Sequence, residues 1–324
     1  MAGLVKTSKG SNIAEAAPDR EPVLLTVVIP CYNEETAVSD TLRQLEHVLA
    51  EVESHEIIAV DDGSTDRTSE ILESLIGEIP SLRIIRHRVN RGYGGALKTG
   101  IRAARGRYLA ITDSDGTYPN ERIPELLVHA EAGTDMVVGA RVGSGVIYSK
   151  LRAFPKAFMR RYCVWVTKQP IPDMNSGLRV FDREILEQFV PYLPNTFSFT
   201  TTVTIAFMTN NYRVEYVPIS YAPRVGTSKI QPVRDTLRFV QLIVRTALYF
   251  APLRVLGPPI LLLWAAFFLV VGHDVFVKGN ISDKSVLLFS FATNVTILAL
   301  LADMIDKRLQ LRSDARRAES ATRS

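Results

Sequence analysis

Short apolar runs alternate with amphipathic stretches over the first half of the chain. The runs are rich in β-branched residues, and they predict strands at 24–29, 56–60, 82–85, 108–112 and 136–138. Between the first two runs, Leu42, Leu45 and Leu49 recur at helical spacing. After the second run, Leu72 and Leu75 do the same. Apolar strands that alternate with amphipathic helices predict an α/β domain with a mostly parallel sheet covered on both faces.

Polar clusters follow three of the predicted strands. PCYNEE follows the first, DDGSTD the second and TDSDGTYP the fourth. Ser64 or Thr65 in the second cluster is expected to cap the following helix. Ligands of open α/β sheets bind beyond the carboxyl ends of the strands. The sequence therefore predicts one binding site formed by these three clusters.

The C-terminal third carries two charge-free apolar runs, at 255–271 and 285–302. Each is close to the ~20 residues that span a bilayer. A buried core helix is the alternative for either run alone, but two runs joined by a short polar loop favour a membrane hairpin. Basic residues flank the outer ends, including Arg254 and Lys307. The positive-inside rule then predicts both termini and the α/β domain on the cytoplasmic side.

Two further stretches have the pattern of helices at a membrane surface. VRDTLRFVQLIVRTALYF separates basic and apolar residues onto different helical faces, and KLRAFPKAFMRRYCVWVTK interleaves aromatic with basic residues. An ordinary surface helix is the alternative for each. The expected organisation is a polar lead-in over 1–22, a catalytic domain over 23–230, a juxtamembrane amphipathic helix over 231–254, two spans over 255–304 and a basic tail over 305–324.

Composition narrows the class of protein. Hydrophobic residues make up 47% of the 324 residues and charged residues 22%, which is typical of a folded chain. The net charge of +4 does not point to nucleic acid. Cys31 and Cys163 have no CxxC partner, so a disulfide framework or zinc site is not expected and a reducing compartment is favoured.

Asp113 and Asp115 are the strongest candidates for chemistry. They stand one residue apart directly after a buried strand, where both carboxylates can face one site. Oxygen ligands without His or Cys suit Mg²⁺ or Mn²⁺, which bind through one or two carboxylates together with substrate phosphates. A solvated acidic turn is the alternative. GYGGAL lacks the third glycine of a dinucleotide fingerprint, and the chain has no HExxH or GxSxG.

Six ordered motifs carry a resemblance to a known family. VVIPCYNEE, VDDGSTDRT, NRGYGGALKTGIRAARG, TDSDGTYP, DMNSGLRVF and RVGTSK together resemble family 2 glycosyltransferases with the GT-A fold. More narrowly, they resemble polyprenyl-phosphate glycosyltransferases, the group that contains dolichyl-phosphate mannose synthase and the undecaprenyl-phosphate glucosyltransferases. The likeness runs from about residue 24 to residue 301, including both apolar runs.

The resemblance implies a metal-dependent membrane enzyme that uses Mg²⁺ or Mn²⁺. It would transfer one hexose, mannose or glucose, with inversion from a UDP- or GDP-linked sugar to dolichyl or undecaprenyl phosphate. A bacterial or archaeal plasma membrane is favoured over an endoplasmic reticulum, which stays compatible with the sequence, and the charge pattern places the catalytic domain on the cytoplasmic face. No nucleic-acid partner is implied, and a homo-oligomer is left open.

The resemblance also assigns expected roles to residues of this chain. Asp113 and Asp115 match the metal-binding pair, and Asp62 matches the residue that accepts a hydrogen bond from the base. The expected contacts to the nucleotide sugar are Pro30, Tyr32, Asn33, Glu34, Asp61, Asp62, Lys98, Asp113 and Ser114. Thr117 stands where close relatives of dolichyl-phosphate mannose synthase often place Gln.

A lipid phosphate needs positive charge to dock it beside the donor, and Arg suits forked phosphate recognition. The expected acceptor-phosphate contacts are Arg141, Arg152, Arg224, Ser228 and Lys229. The expected catalytic residues are Asp115, Asp173 and Arg152. Asp173 stands where hydroxyl-acceptor members of the family place a base, so three roles are open for it: base, orienter of the acceptor, or ion-pair partner of Arg179.

Other functions fit the sequence less well. A processive polysaccharide synthase would need more spans and a Gln-x-x-Arg-Trp motif, and neither Trp165 nor Trp264 ends one. Two charge-free spans offer no transport pathway. A transferase acting on a hydroxyl and a catalytically silent nucleotide-sugar-binding scaffold stay as alternatives.

Overall fold

A computed structural model describes residues 23–141, 161–220, 241, 244–245 and 247–321; in the last helix it describes side chains as far as 305 and that of Lys307. The described part of the catalytic domain is built on one seven-stranded sheet. Its strands are β1 Leu25–Cys31, β2 His55–Asp61, β3 Leu82–Arg86, β4 Tyr108–Ile111, β5 Met136–Arg141, β6 Arg179–Asp182 and β7 Val214–Ile219.

The strand order is β3-β2-β1-β4-β6-β5-β7. Strands β1 to β4 are mutually parallel, as are β5 and β7, whereas β6 runs antiparallel to both of its neighbours. The prediction of a mostly parallel sheet is therefore confirmed, and all five predicted strands are present. Strands β6 and β7 were not predicted from the apolar pattern.

Helices cover both faces of the sheet. They are α1 Val38–Leu49, α2 Thr68–Leu75, α3 Tyr93–Ala103, α4 Ile123–Glu131, α5 Arg183–Phe189 and α6 Phe199–Thr209, and residues 161–167 are also helical. The expected cap of α2 was wrong. The helix begins at Thr68, after Arg67, and Ser64 and Thr65 bind the loop after β1 instead.

The core consists of two apolar layers, one on each face of the sheet. Val27 and Ile29 pack in one layer and Val28 in the other, because successive strand side chains point to opposite faces. The first layer holds Leu42 and Leu72 of α1 and α2, among others. The second is built from α3, α5 and α6. Sheet and helices together hold the strand ends in fixed positions.

Both cysteines are free and buried. Burial raises the pKa of the Cys31 thiol to about 12, and it does the same for Cys163. Neither thiol is therefore a reactive thiolate near neutral pH.

Two long apolar helices follow the catalytic domain: α7 Pro252–His273, which continues as a π-helix over Asp274–Lys278, and α8 Asp283–Ala321. The segments long and apolar enough to cross a membrane are Pro252–Lys278 and Asp283–Ile305. Only 11% and 17% of their most apolar windows are buried, so they differ from core helices of a soluble protein. They form a candidate membrane hairpin whose first helix is longer than predicted.

Contacts between the described residues join the hairpin and the segment just before it to the catalytic domain. Phe250, just before α7, packs its ring 6.0 Å from that of Phe189 in α5. The Arg254 guanidinium donates to the Val166 carbonyl at the end of helical residues 161–167. The expected lead-in over 1–22 and most of the expected juxtamembrane helix over 231–254 lie outside the described residues.

Candidate active site

The carboxyl ends of β1, β2 and β4 meet at one edge of the sheet. Cys31 of β1 lies opposite Asp61 of β2, and the Asp62 amide donates to the Cys31 carbonyl over 2.8 Å. Strand β4 ends at Ile111, and Thr112 alone separates it from Asp113. The three polar clusters predicted to form one site therefore do lie along one edge.

The loop after β1 is held by the loop after β2. Asn33 has a φ of +55° in the left-handed region, which Asn tolerates better than most residues. Its side-chain oxygen accepts from the Thr65 amide over 2.8 Å, and its own amide donates to the Ser64 hydroxyl over 3.2 Å. The Glu34 amide donates to the Thr68 hydroxyl over 2.9 Å. This network presents Tyr32, 44% exposed, at the edge of the site.

Asp61 and Asp62 are both buried, and each is held by several hydrogen bonds. The Asp61 carboxylate accepts from the Ser64 amide over 3.0 Å and from the Ser69 hydroxyl. Asp62 accepts from a ring nitrogen of His87 over 2.6 Å. It also accepts from the Arg91 and Gly92 amides over 2.9 and 2.8 Å. Asp62 thus anchors the loop before α3, and its role toward the base stays a prediction.

His87 was missed by the sequence analysis. Its second ring nitrogen lies 2.9 Å from the hydroxyl of Thr99 in α3, so the ring bridges Asp62 and this helix. A lone histidine after a short strand carries no recognisable signal. Only the fold brings these residues together.

The glycines of GYGG have a packing role. A Cβ on Gly92 would lie 2.5 Å from the Asn195 carbonyl oxygen, and one on Gly94 would lie 2.2 Å from that of Pro194. Glycine is required because the backbone before α6 passes directly over the start of α3. Lys98 is half-buried in the second turn of α3, where burial and then the charge of Arg102 lower its pKa. Its phosphate contact stays a prediction.

Asp113 lies between α3 and the segment before β6. The Tyr93 hydroxyl donates to Asp113 Oδ1 over 2.9 Å. A Cβ on Gly177 would lie 3.0 Å from both Asp113 carboxylate oxygens, so this carboxylate rests against bare backbone. The Gly177 amide in turn donates to the Tyr118 hydroxyl over 2.7 Å. Burial, and then the Asp113 charge, raise the pKa of Tyr118 to about 12 and that of Tyr93 well above its ordinary value.

Asp115 is oriented within its own turn, whereas Ser114 is bound to β1. Asp115 Oδ1 accepts from the Thr117 hydroxyl over 2.6 Å and from the Thr117 amide over 3.2 Å. The Ser114 hydroxyl donates to the Pro30 carbonyl over 3.0 Å and so ties this turn to β1. Thr117 therefore orients a carboxylate at the position where a Gln would stand in close relatives of dolichyl-phosphate mannose synthase.

Asp173 pairs with Arg141. Two parallel hydrogen bonds of 2.7 and 2.9 Å join the carboxylate to the guanidinium, and the Arg141 amide donates to it over 3.1 Å. Burial acts to raise the pKa of Asp173, but the hydrogen bonds and charge of Arg141 outweigh it and hold that pKa below its ordinary value. Asp173 is thus an ionised partner of Arg141.

The hydrogen-bonded partner of Asp173 is Arg141 and not Arg179, so one of the three roles left open for Asp173 does not hold. Arg179 is fully buried, and its guanidinium donates to the carbonyls of Ser176 and Met174 and to the hydroxyl of Thr204 over 2.7–2.9 Å. It points into the segment before β6 and toward α6, whereas Arg141 reaches Asp173 from the end of β5. Sequence proximity favoured Arg179, but the fold places Arg141 closer.

The donor chemistry of the aspartate pair fits a hard divalent cation. Asp113 and Asp115 offer carboxylate oxygens only, and within the described ranges no group of three or more His, Cys, Asp or Glu side chains could hold a metal ion. A cation held here would therefore need further oxygen ligands from a bound substrate, as is usual for Mg²⁺ beside a diphosphate. Arg152, Arg224, Ser228 and Lys229 lie outside the described residues.

Comparison with known structures agrees with this architecture. The chain is similar to glucosyl-3-phosphoglycerate synthase from Mycobacterium tuberculosis, solved with Mn²⁺, UDP and glucosyl-3-phosphoglycerate. The TM-score is 0.51 at 20% identity, over 71% of this chain and 80% of that one. At that identity the likeness establishes the fold, which is GT-A.

Sequence comparison establishes the family. The model of glycosyl transferase family 2 matches residues 26–190. A Pseudomonas fluorescens protein named undecaprenyl-phosphate 4-deoxy-4-formamido-L-arabinose transferase is 31% identical over 72% of this chain and 67% of its own. The chain therefore belongs to glycosyl transferase family 2, which confirms the resemblance.

Two further relatives carry names of the same kind. Dolichyl-phosphate beta-glucosyltransferase from Dictyostelium discoideum is 27% identical over 74% of this chain and 80% of its own. Dolichyl-phosphate hexose transferase from Haloferax volcanii is 28% identical over 69% of this chain and 94% of its own. The relatives named here are all polyprenyl-phosphate sugar transferases.

Proposed function

We propose that this protein transfers one hexose from a nucleoside diphosphate sugar to a polyprenyl phosphate. One observation carries the proposal: Asp113 and Asp115 lie at the carboxyl edge of a GT-A sheet in a chain that also has two helices able to cross a membrane. The names of the relatives support the lipid acceptor. The bound Mn²⁺ and UDP of the mycobacterial structure support the donor class.

The reaction is a single displacement. An oxygen of the lipid phosphate forms a bond to the anomeric carbon, and the bond from that carbon to the donor diphosphate breaks. The products are a sugar linked to the lipid phosphate and a free nucleoside diphosphate, with inversion at the anomeric carbon. Because a phosphate monoester is already ionised near neutral pH, the attacking oxygen has no proton that a strong base must remove.

Asp113 and Asp115 would hold the divalent cation, Mg²⁺ or Mn²⁺. When bound, the cation stabilises the negative charge that develops on the leaving diphosphate. The protein's own contribution is to fix the two carboxylates. Tyr93 and the Gly177 backbone confine Asp113, and Thr117 orients Asp115. The loops that carry Asn33 and Asp62 would bind the nucleotide.

The state of Asp173 favours a phosphate acceptor over a hydroxyl. A hydroxyl acceptor needs a general base whose pKa lies near the working pH. The pKa of Asp173 instead lies below its ordinary value, because Arg141 lowers it and donates hydrogen bonds to both carboxylate oxygens. Its proposed role is to hold Arg141, and with it a positive charge, toward the acceptor phosphate. Arg152, Arg224, Ser228 and Lys229 are proposed to complete that phosphate site.

The proposed location is a membrane, with the catalytic domain on its cytoplasmic face. The two apolar helices support membrane association. The orientation rests on the excess of basic residues outside the hairpin, such as Arg254 and Lys307, over the connecting loop. A bacterial or archaeal plasma membrane is proposed, and the relatives from Pseudomonas fluorescens and Haloferax volcanii support it.

The decisive experiment measures product directly. The full-length protein in detergent is incubated with Mn²⁺, undecaprenyl or dolichyl phosphate and a panel of UDP- and GDP-sugars, and lipid-linked sugar is followed by mass spectrometry. One glycosyl phospholipid from one donor is the expected result. Donor hydrolysis without lipid product would point to another acceptor, and nucleotide binding without turnover would favour a silent scaffold. Asp115→Ala protein is the matched control.

A further inference from the structure

Tyr93 connects two parts of the site that are far apart in sequence. It is the first residue of α3, and its hydroxyl donates to Asp113 Oδ1 over 2.9 Å. Asp113 lies in the loop after β4, so this hydrogen bond joins that loop to the first residue of α3.

The Tyr93 ring packs against an exposed aromatic side chain of a neighbouring loop. It stacks on the Phe197 ring at a centroid distance of 5.3 Å and an angle of 18°. Phe197 is 81% exposed, in the loop that passes over the start of α3. The same loop is fixed to the helix, because the Gly95 amide donates to the Asn195 carbonyl over 3.2 Å. The phenol therefore has one defined position against Asp113.

We propose that Tyr93 is a positioning residue that fixes the Asp113 carboxylate for the divalent cation, and that Phe197 acts through it. This rests on the proposed function, in which Asp113 is a metal ligand. Partners that orient a ligating carboxylate commonly change metal affinity by about 10–100-fold when they are removed. Tyr93 donates to one oxygen and the Gly177 backbone packs against both, so Asp113 loses rotational freedom before the cation arrives.

The test compares Tyr93→Phe with the matched variant Tyr192→Phe, whose ring contacts Tyr249 instead. Tyr93→Phe removes the hydroxyl and keeps the ring that stacks on Phe197. Mn²⁺ is titrated into each full-length protein with UDP, and in parallel with GDP, and free Mn²⁺ is measured by electron paramagnetic resonance. No acceptor lipid is present, so binding is measured separately from turnover. Thermal unfolding is recorded for each variant.

Tyr93→Phe should weaken Mn²⁺ binding about tenfold and leave the unfolding temperature almost unchanged. Tyr192→Phe should leave Mn²⁺ binding unchanged. Phe197→Ala should weaken it by a smaller factor, and adding Phe197→Ala to Tyr93→Phe should cause no further loss. Unchanged or tighter Mn²⁺ binding in Tyr93→Phe would overturn the proposal, as would a wild type that binds no Mn²⁺ with either nucleotide.

The two proposals fail in different ways. A wild type that binds Mn²⁺ and UDP but forms no lipid-linked sugar would contradict the proposed acceptor, whereas the positioning role of Tyr93 would still be judged from the Mn²⁺ titration. Additive losses in the double variant would overturn the part assigned to Phe197, since the two residues would then act independently.

Discussion

The Arg141 guanidinium donates two parallel hydrogen bonds of 2.7 and 2.9 Å to the Asp173 carboxylate. Forked pairs of this kind fix the plane of the guanidinium as well as its charge. Arg141 ends β5, so its position relative to the sheet is set by the strand. The pair therefore holds the Arg141 guanidinium in one orientation at the end of β5, where it is proposed to face the acceptor phosphate.

Asp173→Asn should lower kcat only modestly and raise the KM for polyprenyl phosphate. The amide keeps the shape of the side chain but loses the charge that holds Arg141, so we expect a loss of about tenfold or less in kcat, below the ~10²–10⁴-fold typical of a lost general base. Steady-state kinetics from pH 5 to 9 check this. A loss above a thousandfold, with a changed pH profile, would indicate a base.

Asp115→Ala should abolish turnover in a folded protein, because the cation would lose one of its two carboxylate ligands. We expect a fall of about a thousandfold or more, since a bound metal contributes several kcal/mol of transition-state stabilisation. Product formation and Mn²⁺ binding are both measured. Glu51→Ala, at an exposed position after α1, is the control and should retain full activity. An active Asp115→Ala protein would contradict the metal assignment.

Gly177→Ala should impair the metal site through Asp113. The added methyl group would lie 3.0 Å from both carboxylate oxygens, which is closer than nearly all such contacts, so Asp113 must move. We expect weaker Mn²⁺ binding and lower kcat. Gly77→Ala is the matched control, because a Cβ there meets nothing within 4 Å. Equal Mn²⁺ affinity and equal kcat in the two variants would contradict this prediction, because Asp113 would then accommodate the added methyl group without loss.

Glu56→Gln should reduce stability without changing the chemistry. Glu56 lies near the start of β2, at the opposite end of the strand from the site. It is 2% exposed and accepts from Thr26, Arg83 and Arg105 over 2.7–2.9 Å. Removing its charge weakens two ion pairs whose arginine side chains are 41% and 39% exposed. Because solvent screens these arginines, the expected cost is about 1–2 kcal/mol, less than that of a fully buried pair. The unfolding temperature should fall by several degrees, while the KM values for the donor and the acceptor stay constant.

The pH dependence of this effect has a defined sign. Burial acts to raise the pKa of Glu56, but hydrogen bonds from Arg105, Arg83 and Thr26 outweigh it and lower that pKa from its ordinary value of 4.5. A lowered pKa adds stability that is present above the unfolded value and is lost as the pH falls through the folded value. The difference in unfolding temperature between wild type and Glu56→Gln should therefore be largest above pH 4.5 and shrink below it.

Arg224→Ala should raise the KM for polyprenyl phosphate far more than it weakens nucleotide binding. This prediction rests on the RVGTSK motif alone. Arg213→Ala, which removes a surface partner of Glu215, is the control. Equal losses toward the lipid and the nucleotide would count against a role in the acceptor site.

The sequence alone predicted much of the molecule. The five β-rich runs, the polar clusters at their ends and the apolar hairpin were predicted, because buried strands and long apolar helices leave strong local patterns. The family was predicted from six ordered motifs, and the metal-binding role of Asp113 and Asp115 stays a prediction. Strands β6 and β7 were missed. The four residues of β6, Arg179–Asp182, are too few to show a period.

Only the tertiary structure decided which side chains meet. Asp173 pairs with Arg141, although Arg179 is nearer in sequence. Tyr93, at the start of α3, donates a hydrogen bond to Asp113 in the loop after β4. Ser64 and Thr65 bind Asn33 instead of capping a helix, and the GYGG glycines admit the backbone near Asn195. The reason is physical: local propensity depends on neighbours along the chain, whereas these contacts join residues that only the packing of helices on the sheet brings together.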